Sequence, residues 1–287
     1  MDFAEHRIAT ADGPRVYARD YAAEASHRLP VVCLHGLTRN SADFEAVAPR
    51  IATLGRRVIV IDARGRGKSD NDPEPARYRP DTYVGDVVRA LDTLNVPRAV
   101  FLGTSMGGIM TMLAAMVAPT RVAAGILNDI GPEVDPRGVA RIGAYVGKAE
   151  PFGSWAEMVA AVKATQGAMF PQGDDAFWRT FAQRVARERD DGRVEFAYDP
   201  RIGDVFRTAD PAAPPPSMLP LFEALARVPV LVIRGAASDI LSPEGVAAMR
   251  RIKPDLAFAE VPGIGHAPTL EEHEAWDAIA KFLSNLE

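Results

Sequence analysis

Short apolar runs alternate with amphipathic stretches along most of the chain. The runs are rich in Val, Ile and Leu, which is typical of strands that are covered on both faces. Between them, apolar positions recur every three or four residues, as in helices packed on a sheet. This alternation predicts an α/β fold with a mostly parallel, doubly wound sheet. The predicted strands are at 29–34, 57–61, 98–104, 122–127, 228–233 and 257–261.

The N-terminal part of the chain has a different pattern. Residues 8–21 alternate apolar and polar positions and are interrupted by Asp12, Gly13 and Pro14. Alternation of this kind around turn-forming residues predicts an antiparallel hairpin, which we place at the edge of the sheet.

A long segment after the strand at 122–127 departs from the alternation of strands and helices. Residues 133–222 contain no run suited to a central strand and read as several amphipathic helices. We therefore predict a helical cap at 133–222, inserted into a core formed by 1–132 and 223–287. A proline-rich stretch at 210–217 predicts a stiff linker back to the core. We expect some of the large apolar side chains of the cap to face the functional site; the candidates are Tyr145, Phe152, Trp155, Met158, Val159, Val162, Met169, Phe170, Phe177, Trp178 and Phe181.

The stretch Gly103-Thr104-Ser105-Met106-Gly107 joins a predicted strand to a predicted helix. A serine on such a sharp turn presents its hydroxyl, and small residues two before and two after it allow the chain to approach itself closely. Ser105 is therefore the candidate nucleophile. The alternative is that the match is accidental and that Ser105 only caps a helix.

A serine nucleophile needs a histidine to take its proton and a carboxylate to orient that histidine. His266 follows the last predicted strand, and both Asp129 and Asp239 directly follow strands. Because the carboxyl ends of parallel strands lie along one edge of a sheet, these residues can converge on Ser105. The residues alone leave two candidates for the acid.

These motifs, with His35-Gly36 and Asp62-x-Arg64-Gly65-x-Gly67-x-Ser69, resemble those of α/β-hydrolases of the lidded, esterase-like kind over nearly the whole chain. The resemblance implies that the backbone N–H groups of Leu37 and Met106 form an oxyanion hole. It also favours Asp239 over Asp129 as the acid, because the sequence around Asp239 matches the usual acid loop of the family. Asp62 and Arg64 are expected to pair and to brace the loops around the nucleophile.

Two other kinds of site are disfavoured by the sequence. Gly67-Lys68-Ser69 imitates the end of a phosphate-binding loop, but Asp62 stands where that motif needs a glycine and no helix pattern follows. His35 has no partner at metal-ligand spacing, so we expect it to shape its loop. We therefore predict neither a cofactor nor a metal site.

Composition narrows the class of protein further. The 287 residues carry a formal net charge of −5, with scattered basic residues, which gives no reason to expect a nucleic-acid partner. The sequence shows no signal-peptide pattern and no run long enough to span a membrane, so we expect a cytoplasmic protein without a membrane partner. The single cysteine, Cys33, lies within a predicted strand and is expected to be inert. The oligomeric state stays open.

The predicted activity is hydrolysis of a carboxylic ester, lactone or thioester of a small to medium, largely apolar substrate through an acyl-enzyme on Ser105. Two alternatives remain. Related enzymes hydrolyse carbon–carbon bonds in ring-opened aromatic dienoates, although the segment that usually follows their histidine is replaced here by Ala267-Pro268-Thr269. The other alternative is a non-catalytic protein that binds a small molecule on the same fold.

Overall fold

The computed structural model describes residues 2–22, 27–204, 206 and 217–286. Its strands are β1 (Ala4–Ala9), β2 (Arg15–Tyr21), β3 (Val31–Leu34), β4 (Val58–Asp62), β5 (Ala99–Thr104), β6 (Val122–Asn128), β7 (Ala186–Glu188), β8 (Val194–Phe196), β9 (Val230–Gly235) and β10 (Ala257–Val261). Its α-helices are α1 (Val47–Thr53), α2 (Pro80–Thr93), α3 (Met106–Val117), α4 (Pro136–Tyr145), α5 (Trp155–Gln166), α6 (Asp175–Val185), α7 (Leu219–Leu225), α8 (Pro243–Ile252) and α9 (His273–Ser284).

Eight of the strands form one sheet in the order β1-β2-β4-β3-β5-β6-β9-β10. The strands from β4 to β10 in this order are parallel, and β1 and β2 add an antiparallel hairpin at one edge. The predicted α/β class, the parallel strands and the N-terminal hairpin are confirmed. The order places β5 between β3 and β6, so the loops that follow these three strands are neighbours.

The sheet is buried because both of its faces are covered. Residues of β3, β4, β5 and β6 are almost completely buried, as their continuous apolar runs predict. One hydrophobic cluster lies on the face covered by α2, α3, α7 and α8, and a second lies under α1 and α9. Cys33 is fully buried in the second cluster, where burial raises the pKa of its thiol.

The described residues between β6 and α7 lie outside the large sheet. They supply α4, α5 and α6 and a small two-stranded sheet of β7 and β8, which the sequence did not predict. A third hydrophobic cluster, centred on Trp178, Phe170 and Met158, holds this segment together. The predicted linker at 210–217 falls outside the described residues except for Ser217, and the boundaries proposed for the cap remain predictions.

Candidate active site

Ser105 occupies a tight turn between β5 and α3. Its backbone has φ 51° and ψ −113°, a conformation that residues other than glycine rarely adopt. A Cβ added at Gly103 would lie 2.2 Å from the carbonyl oxygen of Gly107, and one added at Gly107 would lie 2.0 Å from the carbonyl oxygen of Leu34. Glycine is therefore required on both sides of the serine, as the sequence predicts.

His266 lies in the loop after β10 and contacts Ser105. Its Nε2 atom is 2.9 Å from Ser105 Oγ. Its Nδ1 atom is 2.8 Å from Oδ2 of Asp129, which follows β6. This network assigns a proton to Nδ1, which donates to the carboxylate, and leaves Nε2 free to accept from the serine hydroxyl. Ser105, His266 and Asp129 thus form one continuous chain of hydrogen bonds.

The Asp129 carboxylate is fully buried and firmly held. Besides His266, its Oδ2 accepts from the Ser238 hydroxyl at 2.6 Å, and its Oδ1 accepts from the Gly235 amide at 2.9 Å. Asp129 itself has φ 58°, so the chain turns sharply as it leaves β6. Both oxygens therefore have donors, which offset the cost of burying the carboxylate and fix its direction.

The expectation that Asp239 orients His266 is wrong. The Asp239 carboxylate forms a bidentate ion pair with Arg141 of α4, with N···O distances of 2.6 and 2.8 Å. Burial opposes ionisation of Asp239, but the hydrogen bonds from Arg141 outweigh it and lower the pKa of the carboxyl. The loop after β9 contributes the hydroxyl of Ser238 to the site, and the carboxylate comes from Asp129.

Leu37 and Met106, the two residues expected to supply oxyanion donors, lie on either side of the serine turn. Leu37 is in the loop after β3, the strand next to β5, and Met106 is the first residue of α3. A Cβ added at Gly36 would lie 3.8 Å from the Cβ of Ser105, which shows how closely this loop approaches the serine. The structure therefore places the loop that carries Leu37 and the first residue of α3 next to Ser105.

A buried arginine contacts both of these residues. Arg66 Nε donates to the carbonyl of Leu37 at 3.0 Å, and Nη2 lies 3.8 Å from Sδ of Met106. Its Nη1 donates to the Tyr83 hydroxyl and to the carbonyl of Arg64. Arg66 is 1% exposed, and among the described residues no carboxylate lies within ion-pair distance of it. Sequence reasoning did not single out this residue.

The Asp62–Arg64 pair expected from the sequence does not form. Asp62 instead accepts from the amides of Ser41 and Lys68, which holds together the loops after β3 and β4. The buried Arg64 is shared by three carboxylates, those of Asp12, Asp72 and Asp86. Both residues brace the loops near the serine, but through different partners.

His35 joins the same two loops from inside the core. Its Nε2 accepts from the amide of Ala63 at 3.0 Å, and its Nδ1 lies 2.7 Å from the carbonyl of Gly36. The ring is 1% exposed, and burial lowers its pKa. His35 therefore serves as a neutral bridge between loops, in keeping with the role expected for it.

A cavity opens above the serine. It holds about 1030 Å³ of empty space, counting the mouth open to solvent, and both Ser105 and His266 line it. Much of its wall is apolar and comes from the segment between β6 and α7. Those wall residues include Ile142, Tyr145, Val162, Phe170, Phe181 and Phe196. Of the large residues expected to face the site, Tyr145, Val162, Phe170 and Phe181 do so.

The described residues contain neither a cluster of metal ligands nor a membrane-spanning helix. No group of three or more His, Cys, Asp or Glu side chains suited to a metal ion occurs among them. Within the same ranges, no helix combines the length and apolar character needed to cross a bilayer.

The chain is similar over most of its length to known hydrolases. The chain is 36% identical over 269 residues to a 3-hydroxybutyrate-oligomer hydrolase from Cupriavidus necator, covering 91% of this chain and 90% of that protein. It is 27% identical to a 2-(acetamidomethylene)succinate hydrolase from Mesorhizobium japonicum, covering 81% and 79%. The crystal structure of an alpha/beta hydrolase from Novosphingobium aromaticivorans superposes with a TM-score of 0.92, at 41% identity over 100% of both chains.

A family model described as alpha/beta hydrolase fold matches residues 30–273, a range that includes the strands from β3 to β10 and all three residues of the hydrogen-bonded chain. The order of the strands, the turn at Ser105 and the position of His266 after the last strand are those expected of this fold. The chain belongs to the α/β-hydrolase family.

Proposed function

We propose that the protein is a serine hydrolase that cleaves carboxylic esters. The single observation that carries this proposal is the hydrogen-bonded chain from Ser105 through His266 to Asp129 at the base of a largely apolar cavity. Nucleophile, base and orienting acid are each within hydrogen-bond distance of the next, which is the geometric criterion for this chemistry.

In the first step of the proposed reaction, Ser105 Oγ attacks the ester carbonyl while His266 Nε2 takes the hydroxyl proton. Asp129 keeps the proton of His266 on Nδ1 and stabilises the imidazolium that forms. His266 then returns the proton to the departing alcohol, and an acyl group remains on Ser105. Water attacks this acyl-enzyme with the same histidine as base, which releases the acid and restores the serine.

The tetrahedral intermediate carries a negative oxygen that needs fixed donors. We assign this role to the backbone amides of Leu37 and Met106, since each lies beside Ser105 on a rigid loop or helix terminus. Removal of one donor of this kind typically costs about 10²–10³-fold in kcat. The N-terminus of α3 adds its dipole at the same point.

The segment 133–222 is proposed to act as a cap over this site. It supplies much of the apolar wall of the cavity, and the pair of Arg141 and Asp239 joins it to the loop after β9. The relative from Cupriavidus necator is named for hydrolysis of 3-hydroxybutyrate oligomers. We therefore propose short esters of hydroxy acids as the substrate class of this chain.

The proposal is tested with p-nitrophenyl acetate and butyrate on the wild type and on Ser105→Ala, with circular dichroism as the control for folding. The proposal predicts turnover by the wild type and its loss in the variant. Comparable turnover by both proteins would contradict the assignment of Ser105. A folded wild type that cleaves none of these esters, nor linear 3-hydroxybutyrate dimer, would favour a binding function.

A further inference from the structure

Two arginines line the cavity from different parts of the chain. Arg39 follows the loop that carries Leu37, and Arg184 lies near the end of α6. The guanidinium of Arg39 lies over the ring of Phe181, with its carbon 4.0 Å from the ring centre. The side-chain amide of Asn40 donates to the carbonyl of Arg184, which holds the loop and α6 together. The two cations are thus fixed on one side of the cavity.

In each guanidinium, some N–H groups pair with a carboxylate and others are available to a ligand. Nε and Nη2 of Arg39 donate to Asp43, and Nη1 of Arg184 donates to Glu271 at 2.6 Å. Nη1 of Arg39 and Nη2 of Arg184 have no hydrogen-bond partner among the described residues. Each of these groups can donate to an oxygen of a bound ligand.

The charge of the cavity wall favours an acidic ligand. Besides His266, the charged residues that line it are Arg39, Arg184 and Asp43, so cations outnumber carboxylates in the wall itself, while Glu271, the partner of Arg184, lies outside the lining. Arginine presents its donors in a planar fork that matches a carboxylate. Ser105 lines the same cavity, so a carboxylate bound here and an ester at Ser105 can belong to a single small molecule.

We propose that Arg39 and Arg184 form a carboxylate subsite that selects esters carrying a free acid, as the terminal unit of a hydroxy-acid chain does. This inference rests on the proposed ester hydrolysis at Ser105. Arg184 supplies the main contact through Nη2, and Arg39, stacked on Phe181, supplies a second positive charge. The subsite makes the enzyme an exo-acting hydrolase of short acidic esters, since the scissile bond must lie within reach of the terminal carboxylate.

The test compares two substrates that differ only in this group, the linear dimer of 3-hydroxybutyrate and the same dimer with its carboxyl capped as a primary amide. Product release is followed by liquid chromatography. The proposal predicts that wild-type kcat/KM for the acid exceeds that for the amide by about tenfold to a hundredfold, the range expected for a charged hydrogen bond. Equal values for the two substrates would overturn it without any variant.

Variants then assign the preference to residues. Arg184→Gln is expected to bring the acid-to-amide ratio close to one, and Arg184→Lys to retain part of it, because the charge remains but the fork is lost. Arg179→Gln is the matched control, since Arg179 is exposed on the same helix and does not line the cavity. If the acid-to-amide ratio of kcat/KM is unchanged in both Arg184→Gln and Arg39→Gln, the assignment of the subsite to these arginines is overturned.

Failure of this inference can be told apart from failure of the proposed function. Turnover of p-nitrophenyl butyrate by the wild type, with its loss in Ser105→Ala, reports on ester hydrolysis alone. If that turnover occurs and the acid and amide dimers react equally, only the carboxylate subsite is overturned. If no ester is cleaved, the proposed function fails first.

Discussion

At the scale of single residues, the choice between two aspartates decides how the site works. Asp129 and Asp239 both follow strands, yet Asp129 is buried against His266 while Asp239 is neutralised by Arg141. Their contacts in the structure distinguish the two aspartates, whereas their positions in the sequence do not. Loss of each should therefore have a different effect on the reaction.

Asp129→Asn is expected to lower kcat for p-nitrophenyl butyrate by about 10⁴-fold, because an amide no longer holds His266 in the tautomer that accepts the serine proton. Asp239→Asn removes only the ion pair with Arg141 and is expected to have a far smaller effect. Steady-state kinetics of the two variants, each checked for folding, measure the difference. A larger loss in Asp239→Asn would reverse our assignment of the acid.

Arg66 offers a second prediction at this scale. Arg66 donates to the carbonyl of Leu37 and contacts the sulfur of Met106, so it holds in position the two residues whose amides we propose as oxyanion donors. Arg66→Met is expected to lower kcat by about tenfold or more with little change in KM. Arg66→Lys should recover part of the loss.

A merely structural role for Arg66 would give another result. Alkylboronic acids form tetrahedral adducts with a serine nucleophile, so their affinity reports on stabilisation of the oxyanion. We expect that affinity to fall in Arg66→Met in parallel with kcat, while Arg98→Met, an exposed control, leaves both unchanged. Unchanged boronate affinity in a folded Arg66→Met would contradict the proposed role.

At the scale of elements, the site depends on how closely α3 approaches the end of β3. The first turn of α3 packs against the carbonyl of Leu34, with room at residue 107 only for a hydrogen atom. The same contact sets the turn at Ser105 and places the loop of Leu37 beside it. Packing of these elements is therefore a condition for the chemistry.

Gly107→Ala is expected to lower the free energy of unfolding by about 1–3 kcal/mol or more, because the new Cβ overlaps the backbone of β3. Gly85→Ala is the control, since Gly85 is an exposed residue of α2 with no atom within 4 Å of its added Cβ. That change should stabilise the protein by about 0.5–1 kcal/mol through helix propensity. Urea denaturation measures the free energy of unfolding of both variants. Equal changes in Gly107→Ala and Gly85→Ala would contradict the proposed overlap with β3.

At the scale of the whole molecule, much of the fold could be predicted because burial on both faces leaves continuous apolar runs in the sequence. The runs that became β3, β4, β5, β6 and β9 are of this kind. The small sheet of β7 and β8 was missed because its three-residue strands carry no such run.

The residues proposed to act at the site divide in the same way. Ser105 and His266 could be found from the sequence because each has a local pattern at a strand end. The acid could not, because two aspartates share that pattern and only their contacts in the folded chain distinguish them. Arg66 and the pair of Arg39 and Arg184 carry no local signal, since their roles arise from contacts between distant segments.

The buried His35 gives the whole molecule a pH-dependent stability. Burial lowers the pKa of His35, so below its usual value of about 6.5 the unfolded chain binds a proton that the folded chain does not. The free energy of unfolding therefore falls as the pH decreases through this range, by at most about 1.4 kcal/mol per pH unit. The free energy of unfolding, measured by urea denaturation at pH 7.5 and 5.5, should decrease less in His35→Gln than in the wild type. An equal decrease in both proteins would contradict this origin.

Intact mass spectrometry after treatment with a fluorophosphonate probe tests whether Ser105 is an activated nucleophile. We expect one adduct per folded chain, mapped by peptide analysis to Ser105 and absent from Ser105→Ala and from heat-denatured protein. Such a result requires that His266 activates Ser105 in the folded protein. A folded wild type that takes up no probe, or that is labelled at another residue, would contradict the central claim.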